Sequence, residues 1–289
     1  MNELLVFAGL TLVKAAPLIF AALAGVVCER SGILNIALEG QLAVGAFCGV
    51  AVSSISGNAL AGVAAGVLCA ALFGGILGLA ATRFNVDQIV AGTGLNLIAL
   101  AGAGFGLVLV FNQPGASSEV PALGDAGERA LIVLALACAA LLHLALYKTP
   151  WGLRIRACGE NPWAAASANV DVRRVRLGAC LLGGALTGLG GAYLSLGELD
   201  LYSDGMTAGR GFIALAAVIF GRWSPLGATA AALVFGALSA LQFVLQRSGI
   251  PSELMQALPY LAALAALGGL TGRARAPQAE GKPYAPQAR

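Results

Sequence analysis

Residues 59–82 read ALAGVAAGVLCAALFGGILGLAAT, and this stretch contains no charged side chain. An α-helix of this length spans about 36 Å at 1.5 Å per residue, which is enough to cross the hydrocarbon core of a bilayer, roughly 30 Å thick. Comparable apolar runs recur along the whole chain. The stretch therefore predicts a membrane-spanning helix, and its repetition predicts a bundle of such helices.

The composition excludes a soluble globular domain. Hydrophobic residues make up 58% of the 289-residue chain, charged residues make up 11%, and the mean hydropathy is +0.85. Soluble domains are about 25% charged, so this chain has too little polar surface to cover a core in water. Short alternating segments typical of a membrane β-barrel do not occur. We predict an all-α, polytopic transmembrane bundle of about eight to ten spans, near residues 4–27, 32–54, 59–82, 88–112, 130–147, 177–197, 211–221, 226–246 and 254–270.

The basic residues predict the orientation of the chain. Of its 17 lysines and arginines, thirteen fall in segments on the same side as the hydrophilic stretch 148–176, and three fall on the other side. Because short basic loops stay in the cytoplasm, we predict that this stretch and the C-terminus are cytoplasmic. Residues 1–272 then form one transmembrane domain, and the tail 273–289, rich in Pro, Ala and charge, is predicted to be disordered.

Glycine pairs predict close contacts between helices. In lipid, small residues allow helix backbones to approach each other. Four pairs have G-x-x-x-G spacing, namely Gly62/Gly66, Gly74/Gly78, Gly102/Gly106 and Gly184/Gly188. We expect tight packing at these positions, and the alternative is that they let helices slide past one another.

The motifs of common enzymes are absent from the sequence. There is no G-x-x-x-x-G-K-[ST] phosphate-binding loop, no H-E-x-x-H and no G-x-S-x-G. His143 is the only histidine, and none of the six cysteines forms a C-x-x-C pair. We therefore expect no catalytic site, no metal site and no ATP bound through a phosphate-binding loop.

The hydrophilic stretch 148–176 is too patterned to be a simple connection. Asn161-Pro162 is typical of a helix start, with asparagine as the N-cap and proline at the first helical position. The following WAAASA predicts a short helix with small side chains between basic flanks. Such a helix suits insertion into a cleft on another protein, or alternatively a position on anionic lipid.

Polar side chains at membrane depth are the candidates for a translocation pathway. Ser31, Asn35 and Glu39 are spaced four residues apart, so on one helix they would share a face, and Thr93 and Asn96 would share a face of the fourth span. Because polar groups inside a membrane face protein or water, these residues line a pathway for a polar, neutral solute or join helices. Glu39 is also the best candidate for the ion site that a self-powered carrier would need.

Three stretches resemble the transmembrane subunits of ATP-binding-cassette (ABC) importers that serve sugars, branched-chain amino acids and nucleosides. They are ERSGILNIALEG at 29–40, RIRACGENPWAAASANV at 154–170, and GGALTGLGGAYLSLG with MTAGRGFIALAAVIFGRWSPLGA within 183–228. The last is similar to the simple-sugar and nucleoside branch, and especially to nucleoside permeases. The resemblance covers about residues 1–272, although Ala37 and Asn169 stand where it leads us to expect glycine.

This resemblance implies a permease subunit without an ATPase site of its own. The segment Gly159–Asn169 would be the coupling helix that docks on a separate ATPase, with Gly159, Glu160, Asn161, Pro162, Ala165 and Ala166 as the docking residues. The expected partners are that ATP-using ATPase, a second homologous permease and an extracytoplasmic solute-binding protein. The expected location is the cytoplasmic (inner) membrane of a bacterium. This chain would need no cofactor and no nucleic acid.

Nucleosides are the expected solute, and simple sugars and branched-chain amino acids are the alternative solutes. A secondary carrier is a rival function of another class.

Overall fold

The computed structural model describes residues 2–245, residue 261 and residues 275–284, and this part of the chain is all-α. Its helices are α1 Asn2–Arg30, α2 Leu38–Ser56, α3 Ala59–Arg83, α4 Gln88–Phe111, α5 Gly124–Lys148, α6 Pro150–Glu160, α7 Pro162–Ser167, α8 Val172–Tyr193, α9 Arg210–Phe220 and α10 Pro225–Leu245. A π-helical turn, Leu194–Glu198, continues α8. Within the described residues, seven helices are long and apolar enough to cross a membrane, and α9 is shorter.

The prediction of an all-α polytopic bundle is confirmed, and three predicted starts of spans are wrong. Helix α5 begins at Gly124 rather than at residue 130. Helix α2 begins at Leu38 rather than at residue 32, because residues 31–37 are not helical. Helix α8 begins at Val172 rather than at residue 177, because the Asp171 Oδ1 accepts a hydrogen bond from the Arg174 N at 3.1 Å and caps the helix there. The predicted span 254–270 lies outside the described residues, apart from residue 261.

Helix α1 lies at the centre of the bundle. Its residues 15–29 are buried, and it packs against α8, α9 and α10 as well as α5. Phe20 and Leu23 are among its fully buried side chains. The other long helices expose leucine and isoleucine on their outer faces, as expected for surfaces that meet lipid or another membrane subunit.

Segments that were predicted to share one side of the membrane meet at one end of the bundle. The Arg30 Nε donates to the Trp223 O at 2.7 Å, and the Arg30 Nη1 lies 4.0 Å from the Glu160 Oε1. At the opposite end, the Ser117 N donates to the Tyr202 O at 2.8 Å. The grouping agrees with the predicted orientation, whereas the side of the membrane on which each end lies stays a prediction.

Helix α3 packs through glycine against α2 and α8. A Cβ added at Gly66 would lie 2.5 Å from the Gly45 O, and one added at Gly184 would collide with the Ala70 O. The predicted close contacts are therefore confirmed on α3 and α8. At Gly102 the prediction is wrong, because no described atom lies within 4 Å of the added Cβ.

Gly184→Ala is expected to destabilise the chain strongly, whereas Gly102→Ala, its matched control, is expected to be neutral or slightly stabilising. The first change pushes α8 away from α3, and such overpacking costs about 1–3 kcal/mol or more. The second only removes the disadvantage of glycine in a helix, roughly 0.5–1 kcal/mol. The thermal unfolding midpoint in detergent measures both effects, and equal midpoints would contradict the close packing of α3 and α8.

Candidate functional site

The chain is not helical between α1 and α2, where residues 31–37, here called the break, run through the interior of the bundle. Ser31, Ile33 and Asn35 are completely buried. Gly32 has a φ of 94°, a conformation that glycine adopts without strain. At membrane depth, non-helical backbone is tolerated where protein or water satisfies its polar groups. The break therefore depends on side chains from neighbouring helices.

Two side chains of α4 satisfy the backbone around the break. The Gln88 Oε1 accepts a hydrogen bond from the Leu34 N at 2.7 Å. The Asn96 Oδ1 accepts from the Gly40 N at 2.7 Å, and the Asn96 Nδ2 donates to the Ile36 O at 2.9 Å. Asn96 thus bridges the end of the break and the first turn of α2, a turn that has no side-chain N-cap of its own.

Two completely buried amides pair with each other across the same region. The Asn35 Nδ2 donates to the Gln41 Oε1 at 3.3 Å, and the Gln41 Nε2 donates to the Asn35 Oδ1 at 3.4 Å. The Ser31 Oγ donates to the Cys28 O at 2.6 Å. Each of these polar side chains has a partner within the protein, as buried polar groups require.

The carboxylate of Glu39 holds the N-terminus of α9. Its Oε1 accepts from the Gly209 N at 2.8 Å, its Oε2 accepts from the Gly211 N at 2.7 Å, and the residue is only 5% exposed. An anion at this position satisfies backbone donors that the helix leaves unpaired, and it interacts favourably with the helix dipole. Helix α9 has 11 residues, about 16 Å, and its other end reaches Trp223 beside Arg30. It is therefore a half-helix that begins inside the bundle.

The helical face predicted for Ser31, Asn35 and Glu39 is wrong, because the break is not helical and only Glu39 belongs to α2. Thr93 and Asn96 also face different surroundings. Asn96 is 5% exposed against the break, whereas Thr93 is exposed and its Oγ1 donates to the carbonyl of Ile89 on its own helix. In this conformation Asn35, Glu39 and Asn96 join segments of the protein, and a role of all five residues in solute passage stays a prediction.

Between α5 and α8, the stretch 148–176 contains two short helices, α6 and α7, which are here called the elbow. The Thr149 Oγ1 accepts from the Gly152 N at 3.2 Å and caps α6. The Asn161 Oδ1 accepts from the Trp163 N and the Ala164 N, both at 3.1 Å, and caps α7. The helix start predicted at Asn161 is confirmed, and it fixes the direction in which α7 leaves α6.

The two departures from the glycine pattern have different structural consequences. Asn169, just after α7, has a φ of 62°. Among residues with a side chain, asparagine is one that visits this left-handed conformation routinely, so it serves where glycine was expected. Ala37 has a φ of −76°, which needs no glycine.

An apolar groove of about 440 Å³ lies on the elbow. Its lining consists mainly of small and aliphatic residues, and comprises Pro150, Leu153, Arg154, Ala157, Glu160, Asn161, Ala164, Ala165, Ala168 and Val170. Among the predicted docking residues, Glu160, Asn161 and Ala165 therefore line the groove. The others lie behind it: Pro162 is buried, Ala166 is half-buried, and Gly159 packs so closely on the Arg30 carbonyl that a Cβ would collide with it.

The described residues include no group of three or more His, Cys, Asp and Glu side chains that could hold a metal ion. Cys158, on α6, is buried, and burial raises the pKa of its thiol to about 11. The thiol is consequently neutral at physiological pH, which disfavours both metal binding and nucleophilic chemistry.

Curated relatives of the chain are named as permeases of ABC transporters. The chain is 39% identical to the guanosine ABC transporter permease protein NupQ of Bacillus subtilis, over 95% of this chain and 94% of the relative. It is 35% identical to the nucleoside ABC transporter permease protein NupC of Lactococcus lactis, over 98% of each chain. It is 32% identical to the putative glucose ABC transporter permease protein TsgC13 of Haloferax volcanii, over 80% of this chain and 75% of the relative.

No solved structure shows a significant match to the chain. A family profile described as branched-chain amino acid transport system / permease component matches residues 7–267, which include the break, the elbow and α9. The chain is therefore a multi-pass membrane protein that belongs to the branched-chain amino acid transport system / permease component family.

Proposed function

We propose that the chain is the membrane-spanning permease subunit of an ATP-driven importer for nucleosides. The observation that carries the proposal is the similarity, over nearly the whole length, to the guanosine permease of Bacillus subtilis and the nucleoside permease of Lactococcus lactis. In this conformation the amides of Asn35, Gln41 and Asn96 are occupied within the protein, so the choice of nucleosides rests on the similarity to these relatives. Simple sugars are the second candidate, because the putative glucose permease of Haloferax volcanii is also similar.

The elbow is the proposed docking site for the separate ATPase subunit. Its groove is open, apolar and lined by alanines, so a side chain or a short helix of a partner can enter without a clash. Glu160, Asn161 and Ala165 contribute to that lining, while Gly159, Pro162 and Ala166 support it from behind. The partner binds and hydrolyses the ATP, and this chain supplies no phosphate-binding loop.

Movement of the elbow has a direct route into the bundle. Arg176 is buried, its Nη2 donates to the Cys158 O of α6 at 3.5 Å, and its Nε donates to the Ser31 O of the break at 3.0 Å. The break in turn leads into α2, whose Glu39 holds the half-helix α9. We infer that closure of the ATPase subunits shifts the elbow and thereby favours one of two bundle conformations, open to one side or to the other.

The proposed setting is the cytoplasmic (inner) membrane of a bacterium, with the C-terminus in the cytoplasm. A second homologous permease would cover part of the apolar outer surface, and an extracytoplasmic solute-binding protein would deliver the solute. A self-powered carrier is the less favoured alternative, because both oxygens of Glu39, its best candidate for an ion site, are taken by the backbone of α9.

Affinity purification in mild detergent tests the proposal. An ATPase subunit and a second permease are expected to co-purify with the chain, and both should be lost when the elbow is disrupted. Recovery of the chain alone, from membranes in which it supports nucleoside uptake, would contradict the proposal.

A further inference from the structure

Residues 275–284 of the tail, here called the strap, form turns that lie against the elbow. The Ala279 N donates to the Gly159 O at 2.8 Å, which satisfies a carbonyl in the last turn of α6. The ring of Tyr284 packs against the ring of Trp163 on α7, with centroids 4.8 Å apart. Ala279 is 6% exposed and Tyr284 is 7% exposed. Disorder was predicted for the whole tail, and this part of it instead lies in defined contacts, whereas residues 273, 274 and 285–289 lie outside the described residues.

The strap shares a buried arginine with the elbow and the break. The Arg176 Nη1 donates to the Lys282 O at 3.2 Å, in addition to its hydrogen bonds with the Cys158 O and the Ser31 O. Arg176 is 1% exposed, and a buried charge of this kind needs several hydrogen bonds to be tolerated. Without the strap, one of the guanidinium hydrogen bonds is lost and the arginine is opened to water.

A pair of carboxyl groups lies where the strap meets α1. The Trp223 Nε1 donates to the Glu29 Oε2 at 2.6 Å, and the Glu280 carboxyl lies near both the Glu29 carboxyl and the Trp223 indole. The remaining oxygens, Glu29 Oε1 and Glu280 Oε2, are buried without a hydrogen-bond partner among the described residues. Two neighbouring carboxyl groups repel each other when both are ionised, so the approach of the strap to α1 is favoured when one of them is protonated.

We propose that the strap is a positioning element of the coupling machinery, which holds the elbow against α1 and α8 so that movement of the elbow reaches the break. The groove on the elbow is lined by α6, α7 and the residues that follow α7, and the strap does not line it. The strap therefore supports the elbow from behind and leaves the groove free. The part of this inference that concerns the ATPase rests on the proposed function, whereas the support of the elbow by the strap does not.

Truncation after residue 274 tests the strap, and truncation after Tyr284 is the matched control because it keeps the strap. In the assembled transporter, the shorter chain is expected to retain the ATPase but to transport about tenfold less nucleoside per ATP hydrolysed, because the elbow then moves without moving the break. The control is expected to match the full chain. An equal transport-to-hydrolysis ratio in the three proteins would overturn the inference.

Amide hydrogen exchange of residues 150–170 separates this inference from the proposed function, because it needs no ATPase. Exchange in the elbow is expected to be about tenfold faster in the chain that ends at residue 274 than in the chain that ends at Tyr284, since protection follows local opening. Unchanged exchange would overturn the inference even if the ATPase co-purifies. Faster exchange in a protein that binds no ATPase would contradict only the proposed function.

Docking of the strap is expected to weaken as the pH rises. Burial raises the pKa of Glu280, although its contacts with Glu29, Trp223 and Arg30 lower it. When docking raises the pKa of a group, the protonated form of that group stabilises docking. The stabilisation is complete below the pKa of the free group, about 4.3 for glutamate, and it is lost as the pH rises through the pKa of the docked group. The charged and titratable groups around this contact are Cys28, Glu29 and Arg30 on α1, Glu160 on α6, Arg176 on α8, and Lys282 in the strap itself.

Glu280→Gln supplies the test of this pH dependence. The glutamine has nearly the same shape and does not ionise, so it does not repel Glu29 at any pH. Strap exchange, corrected for the intrinsic rate at each pH, is expected to increase with pH in the natural chain and to stay constant in the variant. The same increase in both proteins would show that the carboxyl pair does not govern docking.

Discussion

Glu39→Ala is expected to lower nucleoside uptake by about tenfold or more and to lower the thermal midpoint of the protein. The substitution leaves the Gly209 and Gly211 N–H groups without their acceptor, inside the bundle. Each buried donor left unsatisfied costs about 1–3 kcal/mol, and about 1.4 kcal/mol already corresponds to a tenfold change in an equilibrium. Uptake is measured in cells and divided by the amount of the chain in the membrane, and the midpoint is measured in detergent.

Two further variants separate the structural role of Glu39 from a role in proton transport. Glu39→Gln keeps one acceptor oxygen and is expected to give intermediate values of both uptake and midpoint. Glu119→Ala removes an exposed carboxylate and is expected to behave as the natural chain. If Glu39→Gln abolished uptake at an unchanged midpoint, the carboxylate would be a proton site, and its role as the cap of α9 would not explain its importance.

Ala164→Trp is expected to reduce the amount of ATPase that co-purifies with the chain by about tenfold. Ala164 lines the groove on the elbow, and it is exposed, so the larger side chain fits without unfolding the elbow. The indole fills part of the roughly 440 Å³ that the partner would otherwise enter. A tenfold loss corresponds to about 1.4 kcal/mol of binding free energy, which is a modest value for the obstruction of an interface pocket.

Ser167→Trp is the matched control for this prediction. Ser167 lies on the same helix, is also exposed, and is not part of the lining of the groove. We expect this variant to retain the ATPase and to transport normally. Equal loss of the ATPase in both variants would mean that α7 docks through a surface other than the groove, and no loss in either would place the docking site elsewhere.

The helical bundle could be predicted from the sequence because hydropathy acts locally. A stretch such as 59–82 is long and apolar enough to span a bilayer whatever surrounds it. The N-cap at Asn161 was predictable for the same reason, because its side chain bonds the backbone N–H groups of Trp163 and Ala164, two and three residues further along. The half-helix α9 matches the short span predicted at 211–221, and its 11 residues, about 16 Å, are too few to cross a core of roughly 30 Å.

The break could not be predicted, because it is maintained by partners that are distant in sequence. Residues 31–37 carry the spacing of a polar helical face, and hydrogen bonds with Gln88 and Asn96 on α4 and with Arg176 on α8 stabilise an irregular backbone there. Glu39 accepts hydrogen bonds from residues that lie 170 and 172 positions further along the chain. A polar stripe within an apolar run thus indicates buried polar contacts, and it does not reveal whether the backbone that carries them is helical.

The roles of Gln41 and Arg176 were missed for a related reason. Gln41 is a polar residue within a predicted span, so its polarity was a usable signal, and its partner Asn35 was already a candidate. Arg176 looked like one more basic residue in a cytoplasmic stretch, although it is almost completely buried. Arg176 is important because it donates hydrogen bonds to carbonyl groups of three separate segments, and no local sequence pattern reveals such contacts.

Nucleoside uptake into proteoliposomes tests the central claim most directly. The complex of this chain with its second permease and ATPase is reconstituted, with the solute-binding protein on the extracytoplasmic side and ATP available to the ATPase. We predict that nucleoside uptake requires both ATP and the ATPase subunit, and that liposomes containing the chain alone transport none. Nucleoside uptake by the chain alone, in liposomes free of ATP, would contradict the account.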